Sequence, residues 1–278
     1  MNVIVTGSSG QLGADVCAQL TEGGHTAIGL DLPDVDITNE EQVLRFFNEK
    51  KPDAVIHCAA FTSVDRAEKE PQLCRRVNVD GTRIIAQQAH RHASKLIYIS
   101  SDYIYGGAGN EPLTESSEAN AVNVYGVTKY AGEQEAKRCS RLFIVRTSWV
   151  FGLHGDNFVK TMLRLSEKQD VLRVVCDQIG SPTYTEDLAA LLCEMIETER
   201  YGVYNASNEG YCSWHEFAEE ILRMAGRKVC VWPVTSEEYA SAARRPLNSR
   251  MSKKALCDAG FARLPHWKNA LARCLRQL

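Results

Sequence analysis

Short apolar runs alternate with longer amphipathic stretches through the first half of the chain. The apolar runs are rich in β-branched residues, which is typical of buried parallel strands, and the amphipathic stretches are long enough to cross back over a sheet as helices. Strands are predicted at residues 3–6, 26–30, 54–58, 96–100 and 142–147, and helices at 11–22, 39–50, 71–92 and 125–138. The pattern predicts an α/β fold with a doubly wound parallel sheet of the Rossmann type.

The alternation becomes less regular after Arg146, which predicts a smaller C-terminal lobe. A helix at 157–167, a strand at 172–175 and a helix at 185–197 precede shorter mixed segments. We therefore predict a dinucleotide-binding domain at 1–148 and a substrate-binding lobe at 149–278. Because residues 187–205 have the pattern of a further helix and strand, they are also assigned to the first domain, and the boundary could be discontinuous.

Composition narrows the possible classes of protein. The 278 residues are 44% hydrophobic, enough for one large core without cross-links. Lys and Arg total 32 against 35 Asp and Glu, a net charge of −3, so no basic excess favours nucleic acid. No apolar run has the length of a membrane span, and the chain enters a strand pattern without a charged leader. The ten cysteines are scattered without C-x-x-C spacing, which indicates free thiols in a reducing compartment, and we expect a cytoplasmic protein.

A glycine-rich loop joins the first predicted strand to the first predicted helix. Gly7 permits a tight turn, Gly10 lets backbone amides approach a pyrophosphate, and Gly13 lets the helix lie close to the strand. Three glycines alone are a weak signal, but their place between a strand and a helix favours cofactor binding. The residues predicted to line this phosphate site are Gly7, Ser9, Gly10, Gln11, Leu12 and Gly13.

An acidic residue follows the second predicted strand, where an adenosine ribose commonly binds. Asp31 at this position favours NADH, although NADPH stays open, and the nearby Asp34 and Asp36 leave the choice of acid undecided. Small residues after the third strand could line the dinucleotide. The predicted cofactor contacts beyond the glycine loop are Asp31, Asp36, Ile37, Ala59, Ala60 and Thr62, with Tyr125 and Lys129 at the reactive end, and the expected cofactor is NADPH or NADH.

A tyrosine and a lysine four residues apart share one face of a predicted helix. Tyr125 and Lys129 could form an acid and its supporting cation, because a phenol with an ordinary pKa near 10 needs a positive charge to stabilise its phenolate. Ser101, at the carboxyl edge of the sheet, could polarise a carbonyl oxygen. Asp102 and Tyr103 follow it at the same edge and are predicted substrate contacts. Without the glycine loop, the pair would be an ordinary helix start and a solvated lysine.

Several strings identify the chain with a known family. They are TGSSGQLG at 6–13, AAFTSVDRAE at 59–68, SSDYIYGG at 100–107, NVYGVTKYAGE at 123–133, RTSWVFG at 146–152, DQIGSPTYTEDLA at 177–189 and RRPLNSRM at 244–251. Over essentially its full length the chain resembles the dTDP-4-dehydrorhamnose reductase family, within the extended short-chain dehydrogenases/reductases. The last three strings lie outside the generic cofactor fold and resemble this family's substrate lobe.

The resemblance implies reduction of the 4-keto group of dTDP-4-dehydro-L-rhamnose to dTDP-L-rhamnose. Ser101, Tyr125 and Lys129 match the family's catalytic positions, and Trp149 and Asn157 would face the sugar. Arg244 and Arg245 either bind the diphosphate of the substrate or are surface arginines without a ligand. Some relatives dimerise through acidic residues around a metal, but the corresponding acid is not evident here, so we expect no metal and a possible homodimer.

Three other functions share this fold. A sugar-nucleotide dehydratase is disfavoured, because resembling enzymes carry Thr-Asp-Glu where this chain has Ser101, Asp102 and Tyr103. An epimerase stays open, since returning hydride to the other face depends on pocket geometry. A noncatalytic NADP-binding subunit of the methionine adenosyltransferase type also stays open, although it would have no chemical need for Ser101, Tyr125 and Lys129 together.

Overall fold

A six-stranded parallel sheet forms the centre of the molecule. The computed structural model describes residues 1–239 and 241–278. In chain order the strands are β1 (Asn2–Thr6), β2 (Thr26–Leu30), β3 (Ala54–His57), β4 (Lys95–Ser101), β5 (Leu142–Thr147), β6 (Val150–Phe151), β7 (Val171–Val175), β8 (Ile179–Gly180), β9 (Thr183–Tyr184), β10 (Gly202–Asn205), β11 (Cys212–Ser213) and β12 (Cys230–Val234). The main sheet has the order β10-β5-β4-β3-β1-β2, which confirms the predicted doubly wound α/β fold.

Helices cover both faces of this sheet because its strands are apolar on both sides. The helices are α1 (Gln11–Glu22), α2 (Glu40–Lys50), α3 (Val64–Lys69), α4 (Pro71–Arg75), α5 (Thr82–Arg91), α6 (Val124–Ala136), α7 (Phe158–Ser166), α8 (Thr185–Ile196), α9 (Trp214–Met224), α10 (Lys254–Asp258) and α11 (Trp267–Leu275). Val3 and Val5 of β1 pack with α1 and α8, whereas Ile4 packs on the other face with α2 and α5. The alternation along β1 thus divides the core into two layers.

The predicted helix at 71–92 is less regular than its pattern indicated. Between α4 and α5, residues Arg76–Gly81 form a π-helical turn. Asn78 in this turn accepts a hydrogen bond from the Phe61 amide at 2.8 Å and donates to the Thr128 hydroxyl at 3.1 Å. The backbone carbonyl oxygen of Asn78 would lie 2.5 Å from a Cβ at Gly132, so α6 packs closely against this turn. The wider turn therefore joins three elements at the edge of the cofactor region.

The C-terminal lobe has its own apolar core. Phe151, Phe217 and Trp267 are buried together between α7, α9 and α11, and the short parallel pair β7 and β12 covers one side. The chain returns to the main sheet twice, because β10 pairs with β5 and Leu256 and Phe261 join the core layer of α1 and α8. The division into 1–148 with 187–205, and 149–278, stays a prediction. Among residues 1–239 and 241–278, no helix combines the length and apolarity needed to cross a bilayer.

Candidate active site

A cavity of about 750 Å³ lies outside the carboxyl ends of the sheet strands. It extends from the loop between β1 and α1 to the ends of β4 and β5, where ligands of open α/β sheets bind. Every predicted catalytic and cofactor-binding residue lines it: Gly7, Ser9, Gly10, Gln11, Leu12, Gly13, Asp31, Asp36, Ile37, Ala59, Ala60, Thr62, Ser101, Tyr125 and Lys129. Of the other predicted substrate contacts, Asp102, Tyr103 and Trp149 line it as well.

The glycine loop is shaped for a dinucleotide phosphate. Gly7 has a φ of 64°, and a Cβ there would lie 2.9 Å from backbone atoms of Ala59. A Cβ at Gly13 would collide with the Gly7 carbonyl, so α1 packs against the loop without a side chain between them. Gly10 precedes α1 and has no side chain to cap it. The first amides of α1 are therefore available to an anion, as a pyrophosphate requires.

The structure distinguishes between the acids that follow β2. One carboxylate oxygen of Asp31 accepts hydrogen bonds from the Ser9 amide at 2.9 Å and from the Ser9 hydroxyl, and the other accepts from the Leu32 amide at 3.0 Å. Asp36 instead accepts from the Thr38 amide and hydroxyl, both at 2.8 Å, within its own turn. Asp31 is thus the acid fixed against the glycine loop.

The start of α6 carries the tyrosine and lysine. Asn123 caps the helix by accepting a hydrogen bond from the Gly126 amide at 2.8 Å. The Lys129 ammonium donates to the Ile99 carbonyl at 2.6 Å and lies 4.3 Å from the centre of the Tyr98 ring. Burial lowers the pKa of Lys129 to about 8, although the charge of Glu133 opposes this shift. Burial also raises the pKa of Tyr125 above its ordinary value, and the Ser101 hydroxyl opposes that rise.

Ser101 and Asp102 place oxygen atoms at the end of β4. The Ser101 hydroxyl donates to one Asp102 carboxylate oxygen at 3.0 Å. The other Asp102 oxygen is buried and has no partner among the described residues, and burial raises the pKa of this carboxyl to about 6. The Tyr103 ring meets Tyr125 edge to face, with centroids 5.5 Å apart. A buried acceptor without a partner beside two phenols suits the binding of a hydroxyl-bearing ligand.

A buried ion pair that sequence reasoning did not single out fixes α6 to the sheet. Arg146 of β5 donates to both carboxylate oxygens of Glu133 at 2.9 and 2.8 Å, and their side chains are 7% and 1% exposed. Arg146 also donates to the Tyr105 hydroxyl and the Glu115 carbonyl, each at 2.9 Å. Glu133 lies one turn after Lys129 on α6, so this pair holds the part of the helix that carries the lysine.

Three predicted substrate residues lie outside the cavity lining. Asn157 caps α7 by accepting from the Lys160 amide at 3.1 Å, and it donates to the Gly152 carbonyl at 2.8 Å. Its side chain is therefore committed to the turn before α7. Arg244 is exposed, and Arg245 donates to the Asp65 carboxylate at 2.7 Å. Contact of these three side chains with a substrate stays a prediction.

Another residue of the lobe lines the cavity without having been predicted. Trp214, the first residue of α9, stacks on Trp149 with ring centroids 3.7 Å apart and planes 12° apart. Sequence reasoning missed Trp214 because it lies far along the chain from the other site residues and belongs to no motif that connects it to them. Its string, SWHEF, reads as an ordinary capped helix start.

The parallel sheet, the glycine loop and a tyrosine and lysine one turn apart beside a serine define a dinucleotide-dependent oxidoreductase of the extended short-chain type. A family model described as the RmlD substrate binding domain matches residues 1–278. The chain belongs to the dTDP-4-dehydrorhamnose reductase family.

Known relatives cover nearly the whole chain. It is 40% identical to the spore coat polysaccharide biosynthesis protein SpsK of Bacillus subtilis (99% of this chain, 97% of the relative). It is 37% identical to a dTDP-4-dehydrorhamnose reductase of Aggregatibacter actinomycetemcomitans (97% and 96%). The solved structure of a dTDP-4-dehydrorhamnose reductase of Bacillus anthracis, in complex with NADP, has a TM-score of 0.97, 43% identity and 100% coverage of both chains.

Proposed function

We propose that this chain is an enzyme that reduces the 4-keto group of dTDP-4-dehydro-L-rhamnose to give dTDP-L-rhamnose, with NADPH or NADH as the reductant. The observation that carries the proposal is the convergence of Ser101, Tyr125 and Lys129 on one cavity, which the glycine loop also lines. Relatives that bear the reductase name, 37% identical over almost the full length, support the substrate.

The cavity fits a nicotinamide dinucleotide, which would supply the hydride. Gly7, Gly10 and Gly13 let the loop fold closely against Ala59 and α1, so the first amides of α1 are open to a pyrophosphate. The Asp31 carboxylate, fixed by Ser9, would accept a hydrogen bond from the adenosine ribose. Lys129 would hold the nicotinamide ribose. Ala59, Ala60 and Thr62 would border the dinucleotide along the end of β3.

The residues at the end of β4 and the start of α6 suit acid catalysis. Tyr125 donates its phenolic proton to the ketone oxygen as that oxygen gains negative charge. The Ser101 hydroxyl, which donates to Asp102 in this structure, would rotate to donate its single proton to the same oxygen. Burial keeps the pKa of Tyr125 high, so the phenol is protonated and ready to donate at neutral pH. The Lys129 ammonium then stabilises the phenolate that remains.

The first experiment follows the loss of NAD(P)H absorbance after addition of the dTDP-4-keto sugar. Tyr125→Phe removes the proton donor, so we expect turnover to fall by about 100- to 10,000-fold, with cofactor affinity changed only a few-fold. Tyr130→Phe is the matched control, because Tyr130 lies on the same helix and is 38% exposed. Its turnover should equal that of the parent.

The same assay separates the rival functions. A reductase consumes one NAD(P)H for each product molecule, whereas an epimerase converts the sugar without net consumption. A regulatory protein binds the dinucleotide and gives no turnover. Either of the last two results with the parent chain contradicts the proposal, and analysis of the product by NMR assigns the configuration at the reduced carbon.

A further inference from the structure

A segment late in the chain, residues 243–250, runs across the start of α6, and we call it the strap. Asn123, which caps α6, donates to the Arg244 carbonyl at 2.8 Å. The Asn248 amide donates to the Gly107 carbonyl, in the loop that follows β4, at 3.2 Å. The strap is therefore bound to both segments that carry the proposed catalytic residues.

An ion pair fixes the strap to α3. One carboxylate oxygen of Asp65 accepts from the Ala243 amide at 3.0 Å, and the other accepts from the Arg245 guanidinium at 2.7 Å. The side chains of Asp65 and Arg245 are 46% and 24% exposed, and ion pairs this open to solvent contribute little to stability. The main structural effect of the pair is to set where the Arg245 guanidinium lies.

A second neighbour of the Arg245 guanidinium is the phenol of Tyr103. Burial raises the pKa of Tyr103, the charge of Asp102 adds to that rise, and the adjacent guanidinium of Arg245 opposes it. A guanidinium presents its N–H donors in one rigid plane, so a single group can contact a carboxylate and a phenol together. Arg245 thus connects Asp65 of α3 to Tyr103 at the end of β4.

Tyr103 is in turn packed against the proposed catalytic residues. Its amide donates to the Ser101 hydroxyl at 3.2 Å. A Cβ at Gly126 would collide with the Tyr103 carbonyl oxygen, so α6 packs directly on the Tyr103 main chain. The Tyr103 ring meets the Tyr125 ring edge to face, with centroids 5.5 Å apart. A displaced Tyr103 ring would therefore remove one of the surfaces against which Tyr125 rests.

We propose that Arg245 is a positioning residue: held by Asp65, it fixes the Tyr103 ring and thereby the phenol of Tyr125. The inference rests on the proposed function. It differs from both roles that the sequence allowed for Arg245, contact with the diphosphate and an unbound surface arginine. Positioning affects the rate strongly, because a displacement of about 1 Å can cost about 100-fold.

The test measures kcat and KM for the dTDP-4-keto sugar with saturating NADPH or NADH. Arg245→Met keeps an unbranched side chain without the charge, so kcat should fall by about 10- to 100-fold, and kcat/KM should fall by the same factor. Asp65→Asn should cause a smaller loss of the same kind, because Asn still offers an oxygen to Ala243. Arg66→Met is the control, since Arg66 pairs with Glu70 on the surface of the molecule, and it should match the parent.

A double-mutant cycle tests whether Arg245 acts through Tyr103. Tyr103→Phe removes the hydroxyl beside the guanidinium and keeps the ring. Adding Arg245→Met to Tyr103→Phe should lower kcat by only about twofold more, because both substitutions break the same connection. Losses that multiply independently would overturn the inference.

Binding of dTDP to the NADP⁺-loaded chain separates positioning from recognition of the diphosphate. This ligand carries the diphosphate but no reacting group, so Arg245→Met should bind it within about twofold of the parent. A loss of about tenfold or more in dTDP affinity would make Arg245 a substrate ligand and overturn the inference. An unchanged kcat in Arg245→Met overturns it as well. A parent that consumes no NAD(P)H with the keto sugar contradicts the proposed function instead.

Discussion

Replacing Asp31 by Asn tests the assignment of the adenosine end of the cavity. Three hydrogen bonds already reach this carboxylate, from the Ser9 amide, the Ser9 hydroxyl and the Leu32 amide. A carboxylate has about four lone-pair sites, so one site is left for a ribose hydroxyl of NADH. Asn retains an oxygen acceptor for Ser9 and nearly the same shape, but it removes the charge that strengthens the ribose hydrogen bond. Its amide nitrogen would also face the Leu32 amide, which loses its acceptor.

The part of the effect that is specific to NADH follows from the ribose hydrogen bond. Hydrogen bonds to charged groups contribute about 1.5–3 kcal/mol, which corresponds to roughly 10- to 150-fold in kcat/KM for NADH. Asp31 is partly exposed, so solvent screening favours the lower end of this range. NADPH carries a phosphate at the same ribose position, and its kcat/KM should rise, because the substitution removes a like charge.

The measurement is kcat/KM for both cofactors at a fixed concentration of keto sugar, and Asp34→Asn serves as the control. Asp34 is an exposed acid in the same loop, so its substitution should change neither value by more than about twofold. If Asp31→Asn left the NADH value unchanged, the ribose would not contact this carboxylate. An equal fall for both cofactors would mean that the glycine loop had been disturbed.

Two further predictions concern the charges around α6. With the pKa of Lys129 near 8, its ammonium loses a proton as pH rises, so kcat/KM should fall above about pH 8. Lys129→Arg stays charged and should abolish that decline. A parent profile that is flat to about pH 10 would contradict the proposed role of the Lys129 charge. Arg146→Met leaves the 1%-exposed carboxylate of Glu133 without its cation, so urea unfolding should show a loss of about 3–5 kcal/mol. The double variant with Glu133→Leu should recover most of that loss, and a cost below about 1 kcal/mol in the single variant would show that the pair is dispensable.

Local patterns predicted the main sheet and the set of residues that meet at the glycine-loop end of the cavity. The first five strands of the sheet were predicted to within one residue at either end, because a β-branched run between two amphipathic stretches has few other solutions in an α/β chain. The glycine loop could also be predicted from the sequence, because the need for glycine at positions 7 and 13 comes largely from the packing of a strand, a turn and a helix that are consecutive in the chain.

Features that depend on distant contacts could not be predicted in the same way. The π-helical turn at Arg76–Gly81 is associated with contacts from Asn78 to Phe61 and Thr128, which no helical periodicity records. Trp214 reaches the cavity through two strands of two residues each, too short to leave a pattern. The family resemblance implied a sugar contact for Asn157, but an asparagine before a helix can equally be a cap, and the structure places Asn157 as the cap of α7. The homodimer stays a prediction.

The late return of the chain to the main sheet has a consequence for biosynthesis. On a ribosome, β5 emerges long before β10, and α1 emerges long before α8, which buries its apolar face. Until residue 205 has been synthesised, the nascent sheet has an unpaired edge strand and an apolar face that is not fully covered. Both exposed surfaces favour association with other chains. A fragment cut after residue 148 would keep that incomplete state permanently, so the dinucleotide-binding half should be expressed together with its C-terminal partner rather than alone.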